Sequence, residues 1–115
     1  MPVEIPNRKP QIIELLRMLA SEERQLAYER NVPHVDITAE LVCMWFNDFY
    51  RPDDAFFQSC FTTDELAVLA EFHRFYDEQE RILPESVGTV RTWLASPVWQ
   101  AIMRKANETV SRIAD

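Results

Sequence analysis

Carboxylates are the residues in this chain with the numbers and spacing to do chemistry. Residues 36–80 hold eleven Asp and Glu against Arg51 and Arg74, a local charge of −9 in a 115-residue chain whose total is −7. Two adjacent pairs stand out, Asp53 with Asp54 and Asp77 with Glu78. Asp64, Glu71 and Glu78 recur every seven residues, a spacing that sets them along one edge of a helix. Paired carboxylates serve acid–base catalysis when both sit in one apolar pocket with separated pKa values. Adjacent acids in a loop or at a helix end are ordinarily solvated. Acids crowded on one surface repel one another, and a cationic partner relieves that repulsion. The charge therefore points to a basic protein rather than to a reaction.

Other chemistries find little support. Glu71 and His73 are two apart, which on a helix separates them by about 200° and keeps them from sharing an ion. Cys43 and Cys60 lie far in sequence from His34 and from any zinc-like spacing with His73. Gly88 is the only glycine, so a Gly-rich phosphate loop is excluded, and no Gly-x-Ser-x-Gly is present. Cys43, between Val42 and Met44, has no basic neighbour to activate it. The expectation is no catalytic residue, no metal and no cofactor, with His73 packed structurally and both cysteines as free, buried thiols. A pI near 4.8 disfavours nucleic acid and anionic membrane surfaces, which call for Lys and Arg. The first ten residues contain no apolar run of the secretory kind, and no run approaches a membrane span. These features, with only two cysteines, suggest a cytoplasmic protein.

The elements that must position the acids read as helices. One Gly and seven Pro suit Pro-led breaks between helices better than the tight turns of a sheet. Residues 1–9 read as an extended arm around Pro2 and Pro6. Ile12, Leu15, Leu16 and Leu19 open a helix over 10–30, with a break signalled at Ser21. Asp36 or Thr38 caps the next, which carries Val42, Trp45, Phe46 and Phe49. Phe56, Phe57 and Phe61 bring the following connection back onto the core, because each gains about 1.5–3 kcal/mol from burial. Thr62-Thr63-Asp64-Glu65 is a capping box opening a helix over 63–80, with Leu66, Leu69, Phe72 and Tyr76 on its buried face. Val87, Val90, Trp93 and Leu94 suggest a short helix after the Gly88 turn. Ser96-Pro97 starts the last, carried by Trp99, Ile102, Met103, Ala106, Val110 and Ile113. The fold expected is all-α: one compact antiparallel bundle of about four to five helices.

On that scaffold Asp48, Asp53, Asp54, Glu71, Asp77 and Glu78 are the expected charged contacts. Tyr50 and Tyr76, beside acids near helix ends, are the expected anchors, since exposed tyrosine among carboxylates suits Arg and Lys.

The run Glu40-Leu41-Val42-Cys43-Met44-Trp45-Phe46-Asn47-Asp48-Phe49-Tyr50 resembles small helical bacterial immunity proteins. Pro52-Asp53-Asp54, Phe61, Leu66 through Asp77, and Ser96-Pro97-Val98-Trp99 add to the likeness. Such proteins accompany polymorphic toxins, including contact-dependent growth inhibition systems. The resemblance spans about residues 35–105 and implies a non-enzymatic cytosolic inhibitor that binds a cognate toxin domain and blocks its active site. Many such toxins are basic nucleases, which an acidic inhibitor complements. Monomer or weak homodimer is the expected state. Two alternatives stay open: self-association, with the Trp93 and Trp99 segment meeting the acidic face of another copy, and a small ligand-binding bundle or enzyme with a hidden cavity.

Overall fold

A computed structural model describes residues 7–33, 36–83 and 89–114. It is all-α and compact, with seven α-helices among the described residues. They are α1 (Arg8–Ala20), α2 (Glu22–Asn31), α3 (Ile37–Cys43), α4 (Ala55–Ser59), α5 (Thr63–Glu80), α6 (Val90–Leu94) and α7 (Pro97–Ile113). A π-helical turn, Met44–Phe49, continues α3. The count exceeds the four to five expected because local caps cut the chain more finely. Ser21 is extended, and its hydroxyl accepts from Arg24 N–H, so α1 and α2 are separate. Asp54 caps a single turn within the Phe-rich connection. The expected arm 1–9 is also shortened: Asn7 caps α1 through Lys9 N–H, so Arg8 and Lys9 are helical. The rest of that arm, His34 and the Gly88 turn lie outside the described residues.

The longer boundaries follow their signals. Thr62 Oγ1 accepts from Glu65 N–H while Glu65 Oε1 accepts from Thr62 N–H, a reciprocal cap at the start of α5. Pro97 occupies the first position of α7, where a missing N–H costs nothing. The buried face of α7 (Trp99, Ile102, Met103, Ala106, Val110, Ile113) keeps helical spacing and packs against α1 and α5. Around it Trp45, Phe57, Phe72, Tyr76 and Trp99 are fully buried. Four of these rings, those of Trp45, Phe72, Tyr76 and Trp99, run in one chain. Trp45 meets Phe72 edge-on at 4.9 Å, Phe72 lies 5.5 Å from Tyr76, and Tyr76 lies 6.3 Å from Trp99.

The π-helical turn decides what faces solvent next. Tyr50 N–H donates to Trp45 O over 3.1 Å, five residues back. In an α-helix residues five apart diverge by about 140°; the wider π turn brings them to one side. Trp45 and Tyr50 consequently stack at 4.7 Å with their planes 9° apart. Tyr50 is thereby drawn off the helix end and laid against the core.

Candidate functional site

Three elements meet beside that stack. The π-helical turn supplies Phe46 and Tyr50, the following loop supplies Arg51 to Asp54, and α5 supplies His73. Together they line a cleft of about 500 Å³. The loop is held by short bonds. Asp54 N–H donates to Arg51 O, Gln58 Nε2 donates to Pro52 O, and Asp54 Oδ2 accepts from Phe57 N–H to start α4. The cleft thus has a fixed acidic lip, formed by Asp53 and by the oxygen of Asp54 not used in capping.

His73 forms the opposite wall. Its Nδ1 accepts the indole N–H of Trp45 at 3.1 Å, and its ring stacks on Tyr50 at 4.8 Å. Burial lowers its pKa, and the Asp77 carboxylate one turn along opposes that shift without cancelling it. At neutral pH His73 is an uncharged imidazole, so the negative charge of the cleft stands. Tyr50 is driven the other way: burial raises its phenol, and the charge of Asp53 adds to the shift.

The expected contact residues do not form one field. Tyr50, Asp53 and Asp54 come together at the cleft, and Asp77 acts on it through His73. Glu71 and Glu78 lie on another side of α5, in a shallow depression with Arg74, Phe75 and Lys105. Glu71 is gripped by Lys105 and Arg112 of α7, each at 3.1 Å. The Lys105 bond first and the Arg112 bond next hold its carboxyl below the usual range. Asp77 pairs with Arg81 at 3.0 Å and Glu65 with Lys9 at 2.6 Å. Three of the eleven acids in 36–80 are therefore neutralised by cations from outside that segment. Asp48, Asp53 and Glu78 are exposed and form no ion pair among the described residues.

Three expectations need correction. Tyr50 is not an exposed anchor: the π turn lays its ring on Trp45, and it is buried. Tyr76 is not an exposed anchor: it is wholly buried, and its hydroxyl has no hydrogen-bond partner among the described residues. Its place in the apolar stripe of α5, four residues after Phe72, outweighs its acidic sequence neighbours. Cys43 is not buried either. It faces solvent at the end of α3, while Cys60 is half-buried, taking Arg8 N–H at 3.4 Å and donating to Phe56 O at 3.3 Å.

Sequence reasoning missed Phe46, Arg51 and His73 as members of the cleft. Phe46 reads as core and His73 as a structurally packed histidine, and the π turn brings Phe46 and Tyr50 beside His73 of α5. A second concavity of about 440 Å³, lined by Pro10, Gln11, Glu14, Leu15, Met18, Met44 and Phe49, is mostly apolar, and its one carboxylate, Glu14, is paired with Arg17 and Arg24. Among the described residues no group of three or more His, Cys, Asp or Glu could hold a metal ion, and no helix is long and apolar enough to cross a membrane. Comparisons with protein-family models, with curated proteins and with solved structures find nothing that matches this chain.

Proposed function

We propose that this chain is a non-enzymatic binding protein whose acidic edge receives a basic protein, and that it serves as an immunity protein against a toxin domain. One observation carries the reading. Glu65, Glu71 and Asp77 are neutralised internally, whereas Asp53 on the cleft loop and Asp48 on the π-helical turn stay exposed without ion pairs among the described residues, as do Asp64 and Glu78 elsewhere on α5. Uncompensated carboxylates on a loop fixed by backbone bonds are suited to steer a cationic surface and to set its register. A toxin nuclease carries such a surface where it grips phosphates, and carboxylates placed there exclude the nucleic acid.

The alternative of self-association, in which the segment carrying Trp93 and Trp99 meets the acidic face of another copy, would have to use other side chains of that segment. Both indoles are buried and lie 4.6 Å from each other.

The test is genetic and then physical. The gene directly upstream is expected to encode a large secreted protein with a variable C-terminal domain. That domain alone is expected to arrest growth, and co-expression of this chain to restore it. A toxic domain that kills equally with and without this chain, or a metabolic operon in that position, overturns the proposal.

A further inference from the structure

The cleft holds more than an acidic cluster. Tyr50 is only 8% exposed, yet its hydroxyl makes no hydrogen bond among the described residues. The fully enclosed polar atoms without partners are Tyr76 Oη and Trp93 Nε1. The Tyr50 oxygen is not one of them, so it keeps contact with the cleft that its ring lines. Asp53 and Tyr50 line the same cleft, and the carboxylate adds to the upward shift that burial gives the phenol. Behind Tyr50 the parallel Trp45 ring holds the phenol in position.

The groups on offer define what fits. The carboxylates of Asp53 and Asp54 and the phenol oxygen are acceptors, and the rings of Phe46, Tyr50 and His73 are π walls. An apolar occupant would leave the acceptors unmet as they are desolvated. An anion would face two carboxylates. A flat cation satisfies both features, because its N–H groups reach the acceptors while its plane lies on a ring. Arg51 lines the same cleft but forms no ion pair with either acid, which leaves Asp53 open to an incoming donor, while Asp54 already accepts from Phe57 N–H through one oxygen.

We infer that this cleft seats an arginine side chain presented by a protein partner, its guanidinium donating to Asp53 and to the Tyr50 oxygen. The inference rests on the basic-partner reading and gives it a chemical address.

The full chain is titrated with N-acetyl-arginine amide while the ring resonances of Tyr50 and His73 are followed by NMR. The citrulline and lysine analogues serve as uncharged and non-planar controls. Saturable shifts at both rings are expected with arginine at millimolar concentrations, and binding at least about fivefold weaker with either control. Asp53→Asn is expected to weaken arginine binding about tenfold and Tyr50→Phe several-fold. Neither removes a bond that the fold uses, so unchanged dispersion of the remaining resonances verifies folding. Equal binding of citrulline or lysine overturns the inference. So do shifts confined to the Glu71 and Glu78 side, or variants that bind arginine like the parent. A basic partner bound equally by the parent and both variants removes the cleft but leaves the proposed function standing. Arginine seated here in a chain that protects against no toxin does the reverse.

Discussion

The indole N–H of Trp45 donates to Nδ1 of His73, joining a fully buried ring to one that borders solvent. The bond requires Nδ1 to be an acceptor, so the neutral ring carries its proton on Nε2. Protonation of His73 would set two donors against each other. Burial already holds the folded pKa below the ordinary 6.5, with Asp77 pulling weakly upward. A base depressed in this way contributes stability that is present above about pH 6.5 and is lost as pH falls through the folded value.

The urea midpoint is therefore expected to drop between pH 7.5 and 5.5. His73→Phe should be less stable at pH 7.5 by about 1–3 kcal/mol, because it orphans a buried N–H, and its midpoint should vary less over that interval. An equal pH dependence in both proteins would detach His73 from the effect.

Gln25 is the one fully buried side-chain amide among the described residues, and it uses both ends. Its Nε2 donates to Met18 O and Leu19 O at the end of α1, and its Oε1 accepts Trp99 Nε1–H, each at 3.0 Å. One side chain thus ties α1, α2 and α7 together. Gln25→Leu keeps the bulk and removes all three bonds. It is expected to cost about 2–4 kcal/mol, lowering the melting temperature by roughly 4 °C per kcal/mol for a domain of this size. Gln25→Glu should cost more, since a carboxylate there meets two carbonyl oxygens. A Leu variant as stable as the parent would show the network to be energetically idle.

Gln25 also marks the limit of what the sequence discloses. It sits in Glu22–Asn31, a polar stretch with no apolar period to reveal an inward face. Signals confined to four or five residues were legible: the Thr62 to Glu65 box sets the start of α5, Ser21 breaks the first helix, and Ser96-Pro97 starts α7. The cleft was not, because its shape depends on Tyr50 N–H reaching back five residues instead of four, which no residue type dictates. Nor was the pairing of Glu71 with Lys105 and Arg112, which lie 34 and 41 residues further along the chain. Tyr76 carried two incompatible expectations, a place in the buried stripe and a place on the surface. Helical period prevailed over sequence neighbours, as burial of a large ring outweighs the company of exposed acids.

Tyr76 yields a prediction of its own. Its hydroxyl is enclosed without a partner among the described residues, and burial, then the charges of Glu80 and Cys43, push the phenol well above its ordinary value. A desolvated hydroxyl with no bond opposes folding. Tyr76→Phe keeps the ring contacts with Phe72, Phe46 and Trp99 and discards that cost. The variant is expected to match or exceed the parent in stability, by up to about 1–2 kcal/mol, and to bind a basic partner unchanged. A loss of stability in equilibrium unfolding would reveal a bond to the hydroxyl.

The division of the acids between neutralised and open sites makes charge reversal selective. Asp48 and Asp53 are exposed and without ion pairs, so Asp48→Lys with Asp53→Lys alters the long-range field and removes no internal bond. Association with the toxin domain is expected to slow about tenfold at low salt, with the difference shrinking as ionic strength rises and the Debye length falls below about 8 Å. Glu71→Gln is a control on the other side of α5, with a smaller change of charge. It frees Lys105 and Arg112 on a different side of α5 and should leave the association rate within about twofold of the parent. Asp54 is the poorer choice for reversal, because it also caps α4 and its loss would shift the loop itself. Stopped-flow mixing at several salt concentrations separates these outcomes. If Glu71→Gln slows association as much as the double reversal does, the partner approaches the α5–α7 face and the cleft is not the point of entry.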